Sequence, residues 1–213
     1  MWSADVYGAV LENITVTPAY EKDSALVYTL THNKIQGEPV VQQVEFDQHV
    51  TLVDDAAASF KVGDSVIGGA GSAGFYAAGD LTVDSSADAA PATPTVTILN
   101  TVIEENGNKQ NWRVFAHAYV PEGYTVSEVG VIFVSPYTIK QLSKEGVSDW
   151  TFETLGEKHA FVTTKGADGA AEAMLSLNGV GAGSTRYAKA YVAYNGNSST
   201  VEYSYSAKLE KVF

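Results

Sequence analysis

The residue run nearest to a chemical signature is Gly69-Ala70-Gly71-Ser72-Ala73-Gly74, which satisfies the pattern G-x-G-x-x-G. In a dinucleotide site such glycines follow a parallel strand and open a helix whose N-terminus receives a pyrophosphate. Here the continuation is FYAAGDLTV, too short and too glycine-broken for that helix. The run therefore reads as a flexible loop, and Gly69, Gly71, Gly74, Phe75 and Tyr76 make a candidate assembly loop that becomes ordered by wrapping a neighbouring subunit. Ser72 and Ser184 follow glycine, but Ala70 and Ala182 break the G-x-S-x-G elbow of a serine nucleophile.

Metal and acid–base chemistry find equally little. His32, His49, His117 and His159 are scattered, without the spacing that puts two ligands on one face. Asp54-Asp55 and the set Asp80, Asp84, Asp88 lack the dense alternation of a calcium loop and read as solvated charge. Glu104 and Glu105 lead into Asn106-Gly107 and are expected to face solvent. Trp2, Trp112, Trp150 and the tyrosines could stack on sugars, but strands and subunit interfaces select the same residues. Core and interface rank ahead of a sugar platform. The expectation is a protein that is not an enzyme, with no cofactor and no metal.

Composition narrows the partners. Lys and Arg number 13 against 25 Asp and Glu, a formal net charge of -12, which opposes phosphate backbones and anionic lipid surfaces. Nucleic acid and membrane insertion are not expected; other protein subunits, in a homo-oligomer or on a larger particle, are. The charge is uneven: residues 1–94 hold three basic residues against 13 acidic ones, and residues 95–213 are almost balanced. The chain has no cysteine, so it must hold by packing alone. The opening MWSADVYGAV lacks the basic and apolar regions of a secretory signal.

These side chains must sit on strands. Segment 85–94, SSADAAPATP, has the composition of a linker and divides a β-rich attachment domain, 1–84, from a second unit, 95–213. In the first unit apolar residues recur at period two: Ile14 and Val16, then Leu26 to Leu30, Val40 to Phe46, and Val50 with Leu52. Residues 60–83 offer two or three further short strands. In the second unit strands are expected at 95–103, 111–120, 127–134, 159–164, 172–178, 185–195 and 200–209, a sandwich count. Asn106-Gly107 and Asn195-Gly196 supply hairpin turns. One short helix is expected at SPYTIKQLSKEG, with Ser135 as cap, Pro136 in the first turn and Gly146 at the end.

Residues 127–208 resemble the fibronectin type III or immunoglobulin-like modules of bacterial surface and phage structural proteins. The likeness runs through SEVGVIF, then a corner of Leu177, Gly183, Thr185 and Tyr187, then the alternating strand through Tyr191 to Tyr194. It implies an all-β chain whose C-terminal half is a sandwich. It also implies that Tyr187 acts as a tyrosine corner, its ring between the sheets and its hydroxyl on the corner backbone, with Trp112 as the core tryptophan.

Three functions fit these features. A structural protein of a bacteriophage particle, a capsid decoration, head fibre or tail component with an outward sandwich, is the first, and its setting would be the virion. A bacterial cell-surface adhesin or spacer is the second. A carbohydrate-binding accessory module is the third.

Overall fold

A computed structural model of the chain describes residues 26–196 and 200–213, and the chain is nearly all β. Trp2 and the strand expected around Ile14 and Val16 lie outside the described residues. The alternation that follows is realised as β1 (Val27–Asn33), β2 (Val40–Glu45) and β3 (His49–Asp54). The glycine-broken stretch makes four strands: β4 (Ser59–Val62), β5 (Ser65–Gly68), β6 (Gly71–Tyr76) and β7 (Leu81–Ser86). A five-stranded sheet runs β2-β1-β7-β4-β5, with β1 and β7 parallel, and β3 pairs β6 as a separate ribbon. Leu30, Val44, Phe60, Ile67 and Val83 from the sheet bury against Val50, Leu52, Ala73 and Phe75 from the ribbon.

The expected assembly loop is therefore a strand. Period two puts Ala73 and Phe75 into the core and leaves Ser72, Gly74 and Tyr76 outside. Its glycines serve the packing. Gly71 has φ +79° at the turn out of β5, a conformation glycine adopts without penalty. Gly69 lies against the Tyr119 ring, and Gly74 lets the His49 ring approach the backbone. No helix follows, so the pyrophosphate chemistry of G-x-G-x-x-G has no scaffold here.

The second unit is an immunoglobulin-like sandwich. One sheet is β12 (Glu172–Gly181), β9 (Lys109–Tyr119) and β8 (Thr95–Asn106) in that order. The other is β11 (Phe161–Lys165), β10 (Thr125–Val134), β13 (Thr185–Asn195) and β14 (Glu202–Tyr205), with β15 (Leu209–Val212) on the other half of β13's edge. Trp112, Val114, Ala116, Val129, Val131, Phe133, Ala190 and Val192 fill the space between. Strand β7 runs through Ser86, so the stretch without strand is 87–94 and begins two residues later than the composition indicates. The β8–β9 turn is centred on Gly107 and Asn108, one residue beyond the expected pair, with Gly107 at φ +63°. The single strand expected at 200–209 is two strands, because Ser206 interrupts the ladder: its N–H donates to Ala190 O at 2.9 Å and its hydroxyl accepts from Ala190 N at 2.9 Å.

Strands β10 and β13 are buried on both faces. Their outer face carries Ile132, Val134 and Tyr191 and is covered by residues 135–160, which hold α1 (Pro136–Lys144) and α2 (Phe152–Leu155). Helix α1 starts as its sequence demands, with the Ser135 hydroxyl accepting from Thr138 N at 3.2 Å, and Gly146 follows its end at φ +77°. Leu142, Trp150 and Leu155 are the side chains that cover the sheet. Lys189 points into this layer, where it pairs with Asp149, donates to Trp150 O at 3.2 Å and lies over the Trp150 and Tyr205 rings at 5.4 Å.

Parity corrects the tyrosine corner. Ala188, Ala190, Val192 and Tyr194 face the sandwich interior, so Tyr187 and Tyr191 face outward. Tyr187 packs under Lys208, whose Nζ stands 5.0 Å from the ring centroid. The tyrosine between the sheets is Tyr194, set edge-on to Tyr124. Tyr191 lies across Gly130 and donates its hydroxyl to Glu128; burial, then that bond, pushes its phenol well above the ordinary value.

Two outcomes follow from this packing. Gly130→Ala drives a methyl into the Tyr191 ring and is expected to cost about 1–3 kcal/mol, read as a lower urea midpoint; an unchanged midpoint would contradict the close approach. His32 is buried beside Phe60 with Nε2 2.9 Å from Ser85 Oγ. Burial, helped by Lys34 and opposed by Asp54, pushes its imidazole below the usual 6.5. The unfolded chain then binds more protons than the native one, so stability is complete above that value and is lost as pH falls through the lowered one. The urea midpoint should drop on acidification from pH 7 toward 5, and His32→Gln should flatten the drop.

Candidate functional site: a cleft where the two units meet

Strand β9 alternates Trp112, Val114, Ala116 and Ala118 inward with Phe115, His117 and Tyr119 outward. The outward set is the seat of the first unit. Phe115 meets Phe46 edge-on at 6.0 Å, and Tyr119 lies on Gly69. Leu99 of strand β8, next to inward Ile98, faces the first unit's core, and a bulge between Ile98 and Asn100 keeps Asn100 on that outward side as well. Asn100 then fills the space that a side chain at residue 79 would need, so Gly79 is the residue that fits.

At the centre of the junction stands His117, 5% exposed. Its Nδ1 lies 2.7 Å from Glu172 Oε1 and its Nε2 lies 2.9 Å from Ile67 O. Both ring nitrogens thus face an oxygen within hydrogen-bond distance. The same Glu172 oxygen accepts from Tyr76 N at 3.3 Å. One carboxylate on β12 thus ties β9 to the end of β6, while His117 holds the end of β5.

A cleft of about 200 Å³ opens beside this clamp, lined by Asp47, Tyr76, Leu99, Phe115, Glu172 and Met174 together with Ala116 and Ala173. Tyr76 is 46% exposed and Met174 48% exposed, so the apolar wall faces solvent. Tyr76 is held from behind by the His49 ring, edge-on at 5.0 Å. Asp47 enters through a left-handed turn, φ +60°, closed by its N–H donating to Ala77 O at 2.8 Å. A rigid aromatic face, a thioether and two carboxylates therefore surround a space suited to one small ring. The apolar groups bind a hydrocarbon face and the carboxylates accept hydrogen bonds, which is the usual division of labour in a ligand pocket.

The structure brings Tyr76, alone of the residues proposed for the assembly loop, to this cleft. Trp112 is buried at the centre of the sandwich, edge-on to Phe133 and Phe213 at 5.6 Å each, and Leu177 pairs with it across β12 and β9. Thr185 opens β13, and Tyr191 belongs to the opposite face of the protein. Among the acids, Glu105 is exposed as expected and accepts from Gln110, while Glu104 is half-buried and pairs with Arg113 at 2.9 Å. Asp54 caps its own loop, accepting from Ile35 N and Ala56 N; the Ile35 bond leads the effects that hold it below the usual carboxylate value. His117, whose spacing does not mark it as a ligand, is a buried structural residue; Asp47, Glu172 and Met174 carry no sequence signal of their own, but F-A-H-A-Y following W-R-V carries one: large side chains on both faces of one strand require cover on both.

No family model and no curated protein matches the chain. Among solved structures it is similar to a DUF3823 family protein from Bacteroides ovatus, at 17% identity over 86% of this chain and 97% of that one, with a TM-score of 0.32. It is also similar to a candidate carbohydrate-binding protein from Bacteroides uniformis, at 11% identity over 87% of this chain and 99% of that one, with a TM-score of 0.34. Likenesses this slight carry no argument about the site.

The clamp makes a direct prediction. Glu172→Ala strands the buried His117 ring and Tyr76 N–H without their shared acceptor, a loss of about 2 kcal/mol for hydrogen bonds to a charged group. Amide exchange should quicken at Ile67, Tyr76 and His117 before it changes in β13. Equal protection in variant and parent would show that the junction does not depend on Glu172.

Proposed function

We propose that the chain is a non-catalytic carbohydrate-binding module that seats a sugar ring in the cleft between its two units. The observation that carries this reading is Tyr76: a half-exposed aromatic ring, braced by His49, on one wall of a cleft that also holds the carboxylates of Asp47 and Glu172. A pyranose offers an apolar face to such a ring and hydroxyl donors to such acids. Bracing matters because a side chain already fixed loses little freedom on binding. A module that holds polysaccharide meets it outside the cell, so a cell-surface setting goes with this reading. Nothing about the cleft calls for a capsid or tail partner, and the glycan reading takes the place of the virion expectation.

The test is a glycan array followed by calorimetry on the best binder. Tyr76→Ala should weaken binding by roughly tenfold, the equivalent of about 1.4 kcal/mol, with the β-sheet circular dichroism unchanged. A chain that binds no glycan, or a variant that binds as tightly as the parent, overturns the proposal.

A further inference from the structure

We infer that the sugar held in the cleft carries a free, protonated amine; this inference rests on the sugar-binding reading above. Apart from the Tyr76 hydroxyl, the polar side chains that line the cleft are those of Asp47 and Glu172, and an ionised carboxylate only accepts hydrogen bonds. A hydroxyl satisfies one such acceptor at a time, whereas an ammonium brings three donors and the opposite charge.

The charges around the cleft leave Asp47 uncompensated, whereas Glu172 already pairs with His117. No Lys or Arg lines the cleft among the described residues. Arg113 lies beside Met174, with Nη1 3.9 Å from its sulfur, and Glu104 engages its Nη2 at 2.9 Å. His117 engages Oε1 of Glu172, and Oε2 has no hydrogen-bond partner among the described residues. His49 packs edge-on against Tyr76 and is not among the residues that line the cleft. The Asp47 side chain likewise has no hydrogen-bond partner among the described residues. Beyond the cleft, residues 1–94 hold 13 acidic residues against three basic ones, a field that draws cations toward this half of the protein. The Tyr76 face adds its own attraction for an ammonium, so one ring serves both the sugar's apolar face and its amine.

Calorimetry on the full chain with three trisaccharides of the same β-1,4 linkage tests this: the glucosamine trimer, its N-acetylated form and the glucose trimer. A lysine-rich peptide supplies the same amine from a protein source. The glucosamine trimer should bind about tenfold tighter than the other two, and high salt should shrink the gap. Asp47→Asn should abolish most of the preference, since asparagine tolerates the left-handed turn at this position and removes only the charge. Equal affinities for the three sugars overturn the amine preference and leave sugar binding standing. Binding to none of them and to nothing on the array removes both. A peptide that binds more tightly than the glucosamine trimer overturns the inference in favour of a protein ligand.

Discussion

Strand β9 has no solvent face along its middle, and that constraint organises the molecule. Its inward residues, Trp112 to Ala118, are the floor of the sandwich core, and its outward residues, Phe115, His117 and Tyr119, are the floor of the junction. Burying the outward set removes two large aromatic surfaces from water but also takes an imidazole with it. A buried ring of this kind is tolerable only with both nitrogens bonded. Ile67 O and Glu172 meet that need, so the polar clamp is the condition on which the apolar seat exists.

The same layering repeats on the far side, where residues 135–160 lie over β10 and β13. The protein is thus built outward from one sandwich core, with a second β unit on one sheet and a short helical cover on the other. Each cover is fastened by a buried cation-capable side chain that finds a carboxylate and a carbonyl: His117 with Glu172 and Ile67 O, Lys189 with Asp149 and Trp150 O. In both places the hydrogen bonds fix where a cover sits, while the apolar contacts supply most of the attraction.

The strands and the α1 cap were legible because they rest on local rules. Period two marks Val50 and Leu52, and Ser135-Pro136 marks a helix start whatever surrounds it. What failed was anything that needed knowledge of the opposite surface. The glycines at 69, 71 and 74 read as a loop because glycine is ambiguous between freedom and close packing, and only Tyr119 and His49 decide between the two. The corner pattern points Tyr187 to the interior, but it fixes a position along the strand without fixing which face that position takes. The parity of Ala188, Ala190 and Val192 holds that answer. Parity also marks the β8 bulge, since the core positions Val96 and Ile98 give way to Ile103. The cleft was the least legible of all, being assembled from β6, β9, β12 and the turn at Asp47, which share no local pattern.

That bulge reaches further than its one extra residue. By setting Leu99 and Asn100 side by side on the outer face, against the neighbouring unit, it leaves the sandwich without a clean outer boundary. A sandwich cut free at residue 95 would carry Leu99, Phe115 and Tyr119 as an uncovered greasy stripe flanking an unanswered imidazole. Such a surface seeks cover from whatever is near. Modules joined by flexible linkers can be shuffled between proteins, whereas these two units are joined through their interiors and must be inherited together.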